Sequence, residues 1–130
     1  MNAYDFIKNC YPFYFLTVSN GEPCGRPFGA IYQAEGKYYV ATGKGGNVYN
    51  QVKANPLVQI VALKEGTRNW LRISGKATVC EDLTLKEQML ISCPILSKHY
   101  KSATDEKFAM IQIAPTSIDY HGENGVEKLL

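Results

Sequence analysis

Three groups of residues in this chain have types and spacings suited to chemistry. Arg26 stands directly before Pro27, Phe28 and Gly29, at the start of an apolar run. A strand edge tolerates the missing proline N–H, and a guanidinium there can hold a phosphate through parallel hydrogen bonds. Lys44 lies inside the glycine-rich loop Gly43–Gly46, flanked by Thr42 and Asn47 and followed by a helical pattern that contains Gln51. Exposed amides at such a loop and at a helix N-terminus favour an anion. Trp70 and Arg72 alternate along one run, so an indole and a guanidinium share a face and can clamp a flat anionic molecule or bridge two subunits. Each group also has a plain structural reading: a solvated arginine, an ordinary turn, an arginine stacked on its neighbour.

The other reactive residues form no recognisable constellation. Cys10, Cys24, Cys80 and Cys93 include no C-x-x-C pair, and His99 and His121 are the only histidines, which argues against zinc or iron–sulfur binding. Cys24 reads as a turn thiol. No motif sets a serine or cysteine nucleophile beside a histidine. Glu81 and Asp82 read as a polar cap. The glycine loop matches neither the Walker A spacing nor the dinucleotide fingerprint.

Lys and Arg total 14 against 12 Asp and Glu, a net charge of +2 that argues against nucleic acid or an anionic membrane as partner. No apolar run reaches transmembrane length, and the N-terminus lacks the pattern of an export signal. Free thiols in a reducing cytoplasm are therefore the expectation. At 130 residues, 45% of them hydrophobic, the chain is expected to form one domain.

The elements that must position these residues follow from periodicity and punctuation. A short helix over residues 3–9 is capped by Asn2, and Phe13–Val18 is the first strand, turning at Asn20–Gly21. Arg26–Gln33 and Lys37–Thr42 read as a hairpin about the turn AEGK. Asn47 is expected to cap a helix to Ala54, which Pro56 ends. Leu57–Leu63 and Trp70–Val79 are strands, the second with strict alternation of Leu71, Ile73, Gly75, Ala77 and Val79 against Trp70, Arg72, Ser74, Lys76 and Thr78. Thr84–Glu87 resembles a capping box, Pro94 opens a short helical piece, and Phe108–Ala114 is the last strand, extended by Ser117–Tyr120; residues 121–130 show little order. These elements predict a mainly β fold with small helices, in which six antiparallel strands make a closed or nearly closed barrel that removes exposed edges.

In order, FYFLTVSNGEPCGRPFGAIY, KYYVATGKGGNVYNQVKANPLVQI and NWLRISGKATV resemble the pyridoxamine 5′-phosphate oxidase-like family of FMN-binding split barrels, over Tyr4 to about Ile113. The resemblance implies a split β-barrel homodimer with FMN in the interface cleft. It implies that Arg26 reaches the FMN phosphate, and that Pro27, Phe28 and Gly29 run along the isoalloxazine. Thr42, Lys44 and Asn47 would complete the cradle, Gln51 would lie near the cofactor, and Trp70 and Arg72 would edge the site on the dimer side. This chain has Gly45, Gly46 and Asn47 where the family commonly has Ser/Lys or Lys/Lys, leaving Lys44 as the nearby cation. It also lacks the C-terminal substrate-phosphate residues of the vitamin-forming oxidases. The expected activity is NAD(P)H-linked hydride or electron transfer to a small-molecule acceptor through FMN. The alternatives are flavin storage or sensing, haem or deazaflavin binding, and a small-barrel interaction or nucleic-acid module.

Overall fold

Alternating burial decides which face of the sheet is core. Along β6 (Trp70–Cys80), Leu71, Ile73, Gly75 and Ala77 are buried, while Trp70, Arg72 and Ser74 face the other way, as the period-two pattern predicts. The same alternation runs through β1 (Phe13–Ser19) and β5 (Leu57–Leu63). The computed structural model describes residues 1–130 throughout. Its other strands are β2 (Glu22–Phe28), β3 (Tyr32–Ala34), β4 (Lys37–Gly43), β7 (Phe108–Gly122) and β8 (Gly125–Lys128). The helices are α1 (Ala3–Lys8), α2 (Asn47–Ala54) and α3 (Leu83–Ser92), followed by a 3-10 segment at Pro94–Lys98.

All pairings are antiparallel. The order is β2-β1-β5-β6-β7-β4-β3, with β8 branching from β7. This corrects the expected six-stranded barrel: there are eight strands, and the sheet is not closed, because its terminal strands β2 and β3 do not pair with each other. The edges are blunted by other means. β2 carries Pro23 and Pro27, and β3 has three residues, so neither presents a long ladder of free amides.

The expected Arg26–Gln33 strand is also split. Arg26 and Pro27 belong to β2 and pair with β1, whereas Tyr32–Ala34 form β3 and pair with β4. The two reversals are as the sequence suggests, with φ of 52° and 78° at Asn20–Gly21 and 52° and 76° at Glu35–Gly36. Asp82, rather than Thr84, caps α3 by accepting from Leu85 N at 3.1 Å. The tail expected to lack order supplies the end of β7 and all of β8.

α1 and α2 plug the inner face of the sheet. Ile7, Val48 and Val52 join Phe13, Phe15, Ile60, Leu71, Ile73, Ile111 and Ile113 in the main core. Burying each such side chain contributes about 1.5–3 kcal/mol before chain entropy is charged against it. A smaller cluster of Tyr39, Met89, Leu96, Phe108 and Met110 lies beneath α3 and the 3-10 segment, so β4 and β7 are covered on both faces. β6 bulges between Ser74 and Gly75 against β7; a Cβ at Gly75 would stand 2.5 Å from the Ala114 carbonyl oxygen, so the close approach requires glycine.

Candidate cofactor-binding site

The β1–β2 register sets Arg26 opposite Phe15 and Cys24 opposite Thr17, which turns the Arg26 side chain toward the inner face, where α2 packs. Its guanidinium donates to Thr17 Oγ1 at 2.9 Å, to the Phe15 carbonyl at 3.3 Å and to Gln51 Oε1 at 2.9 Å. Thr17 in turn donates to Gln51 Oε1 at 2.6 Å. Thr17 is 1% exposed and is the one polar side chain among the buried residues. A hydroxyl at that depth is tolerated because it both accepts and donates here.

Arg26 is half-buried, yet all its partners are neutral. The chain's ion pairs are Lys8–Asp5 and Lys128–Asp119, and neither involves Arg26. A guanidinium has about five N–H donors. Three are used within the chain, so Arg26 keeps donors and an uncompensated charge for an anion.

The glycine loop carries the chain from β4 to α2. Lys44 N donates to the Lys107 carbonyl at 2.9 Å and Gly46 N to the Gly43 carbonyl at 3.1 Å, while Gly45 takes a φ of 83°. Asn47, expected as the cap, is instead the first helical residue; Gly46 occupies the cap position and offers no side chain. The first-turn amides of α2 therefore lack a capping acceptor and remain donors for an anion. Gln51 lies one turn beyond Asn47 on the same face, which joins the loop to Arg26. Lys44 is exposed beside them.

Pro27, Phe28 and Gly29 line a trough of about 250 Å³ with Ala41, Leu96, His99 and Tyr11. A Cβ on Gly29 would lie 2.5 Å from Tyr11 Cε2, so the tyrosine ring rests directly on that backbone. Thr42 follows Ala41 in β4, between the trough and the loop. The trough is mostly apolar and suits a flat ring, and the only imidazole on its wall is that of His99.

Trp70 and Arg72 do not join this network within one chain. Trp70 stacks on His121, with centroids 3.9 Å apart and planes 6° apart, and Arg72 Cζ stands 4.8 Å over the indole. They belong to the outer face of the sheet. There the register aligns Pro27, Tyr14, Val61, Arg72, Asp119 and Lys128 across six strands. His121 Nε2 is buried without a hydrogen bond; Asp119 Oδ1 lies 3.0 Å from Lys128 Nζ with no hydrogen bond directed at it.

Of the predicted residues, the structure thus joins Arg26 to Gln51, sets Asn47 one turn away, and groups Pro27, Phe28 and Gly29 in the trough, with Thr42 and Lys44 between. Thr17 was missed. Its signal was available: a hydroxyl at the inward position of FYFLTV, in phase with Phe13 and Phe15. Burial pushes the Tyr38 hydroxyl and the Cys93 thiol above their usual ranges, so both stay protonated at neutral pH. His/Cys/Asp/Glu groups of three or more fit to hold a metal ion are absent.

These donors and this trough fit FMN: spare Arg26 donors and α2 amides for a phosphate, and an apolar slot for a planar ring. The family model described as pyridoxamine 5′-phosphate oxidase matches residues 2–122. A NimC/NimA family protein from Clostridium acetobutylicum superposes with TM-score 0.88 at 29% identity, covering 97% of this chain and 87% of that one. General Stress Protein 26 from Bacillus anthracis gives 0.80 at 21%, covering 97% and 95%. A pyridoxamine 5′-phosphate oxidase-related, FMN binding protein from Nostoc punctiforme gives 0.70 at 17%, covering 91% and 78%. No curated protein matches the chain. From the family match over nearly its whole length, the chain belongs to the pyridoxamine 5′-phosphate oxidase family of FMN-binding proteins.

Proposed function

We propose that this protein is an FMN-dependent oxidoreductase that takes hydride from NAD(P)H and delivers electrons to a small-molecule acceptor, as a homodimer in the cytoplasm. The observation that carries the reading is the half-buried Arg26, fixed by Thr17 and Gln51 and faced by no carboxylate. Bound FMN supplies the redox chemistry, accepting hydride and releasing electrons. The chain's residues bind and orient. Arg26, Lys44 and the first amides of α2 would hold the phosphate, and Pro27, Phe28 and Gly29 would give the ring a dry wall. No side chain is assigned as a general acid or base.

The outer sheet face supports the dimer. Leu63 and Val126, 52% and 57% exposed, stand opposite Trp70 and His121 there, and Tyr14 and Leu57, 46% and 53% exposed, lie further along the same face. A row in which Arg72 and Lys128 flank Asp119 can meet its own copy about a two-fold axis without like charges in register.

The test is an absorbance spectrum before and after adding FMN and desalting, on the native protein and on Arg26→Ala. Retained flavin absorbance in the native protein, bleached anaerobically by NAD(P)H, is expected. Arg26→Ala should stay folded and weaken FMN roughly 10–150-fold, the range for losing a charge-assisted contact worth about 1.5–3 kcal/mol. FMN that washes out of the native protein, or that binds Arg26→Ala equally well, would overturn the reading.

A further inference from the structure

Beside the ring trough lies a second space of about 340 Å³, between the end of α1 and the start of the 3-10 segment. Its walls include Ile7, Cys10, Phe13, Ile31, Cys93 and Pro94. Tyr11, Gly29 and Ile95 line both spaces, so the two adjoin along that wall. The divide is the Tyr11 ring, which rests on the Gly29 backbone. Tyr11 and Ile95 are large apolar side chains left exposed at this wall, with nothing in the chain to cover them. A packing fault would be enclosed by core atoms. This space is instead rimmed by exposed Lys8, Ser92 and Ile95 and has the size of a small-molecule site.

The chemistry of the walls selects the occupant. Both thiols are satisfied within the chain: Cys10 Sγ donates to the Phe6 carbonyl at 3.2 Å and Cys93 Sγ to the Ile31 carbonyl at 3.3 Å. Burial raises both thiols above their usual range, so neither carries a charge at neutral pH. The one cation of the lining, Lys8, is engaged elsewhere, its Nζ 3.5 Å from Asp5 Oδ1 and 4.4 Å from the centroid of the Tyr4 ring. An anion entering here would lose hydration and find no free charge to replace it. What remains is apolar surface with the hydroxyls of Ser92 and Tyr11, enough to meet the oxygen of a neutral carbonyl.

We infer that this space holds the electron acceptor, and that the acceptor is a neutral, planar, largely apolar compound of the quinone class. Uncharged walls that include Phe13 and Tyr11 bury a flat ring, and the shared wall sets that ring against the trough. The quinone takes a hydride from the reduced flavin and one proton from solvent and leaves as the hydroquinone, which balances two electrons and two protons. The chain needs no acid of its own for that step. Phosphorylated or carboxylated acceptors are disfavoured by the same walls. The inference rests on the flavin reading of the Arg26 site and adds to it the class of acceptor.

The test is equilibrium binding to the FMN-loaded, oxidised protein, in which no turnover occurs. The probes are a naphthoquinone methylated at both free quinone carbons, which leaves a thiol no position to add to, and its ring sulfonate. By calorimetry the neutral quinone should bind about tenfold tighter than the sulfonate, or better. Ser92→Phe fills the space from an exposed position that does not line the trough. It should weaken the neutral quinone about tenfold, raise its KM by a similar factor, and leave the FMN constant and the rate of bleaching by NAD(P)H within about twofold. Equal affinities, tighter sulfonate binding, no measurable quinone binding, or a Ser92→Phe variant that binds the quinone as before would overturn the inference and leave the flavin reading in place. The two quinones on the native chain decide the matter even if the variant does not fold. FMN that fails to bind the native protein would overturn both.

Discussion

Two arginines on opposite faces of one sheet live under different physics. Arg26, on the inner face, is fixed by three hydrogen bonds to neutral oxygens around a buried hydroxyl. Arg72, on the outer face, is placed by stacking over Trp70, which itself stacks on His121. Hydrogen bonds give Arg26 a direction and leave its charge free, which is what an anion site needs. Stacking gives Arg72 a flat, partly exposed platform among apolar neighbours, with the buried Nε2 of His121 lacking a partner, which is what an interface between subunits needs. On the reading proposed above, Arg26 would hold the phosphate end of the cofactor, and the Trp70 end of the outer face would serve association.

The largest effect that separates the two faces is expected from Trp70→Ala. Removing the platform should weaken the dimer by about 2 kcal/mol or more, as central aromatic anchors do. Sedimentation should then show monomer, and unchanged self-association would break the assignment. Thr17→Val should act on the other face alone. It deletes two hydrogen bonds beneath Arg26 and should lower unfolding stability by about 1–2 kcal/mol in a urea titration, with the dimer unaffected.

The smallest effect belongs to the loop before β7, whose Lys107 carbonyl accepts from Lys44 N. Asp105 accepts from Lys101 N and Lys107 N at 2.9 Å each, and those bonds hold its carboxyl below the usual 3.8. Because the folded-state value is depressed, its stabilisation is fully present above 3.8 and is lost as pH falls through the lower folded value. Asp105→Ala should therefore flatten the acid limb of the stability profile slightly. An identical limb in the variant would show that the loop hydrogen bonds contribute nothing.

The site was partly legible before folding was considered. Arg26 and Gln51 stand out as a guanidinium at a strand edge and a polar residue on a helix, yet nothing local says that they touch. Their bond exists because β2 pairs with β1 and α2 packs against β1. Thr17 was hidden by its company, since one threonine in FYFLTV reads as a strand residue until the register turns it inward. Asn47 was misjudged as a cap by one position, because Gly46 can take the cap conformation without a side chain.

What the amino-acid sequence determined by itself is whatever depends on neighbours a few residues apart. Alternation along Trp70–Cys80 chose the buried side of β6, Asn20–Gly21 and Glu35–Gly36 chose the tight reversals, and Asn2 chose the start of α1. The order of strands, the open sheet in place of the expected barrel, the recruitment of residues 125–128 as an eighth strand, and the stacking of Trp70 on His121 were decided by tertiary structure. Backbone pairing is nearly indifferent to side-chain type. Which strands meet is therefore settled by how the buried faces pack around one core, a condition that no short stretch of sequence contains.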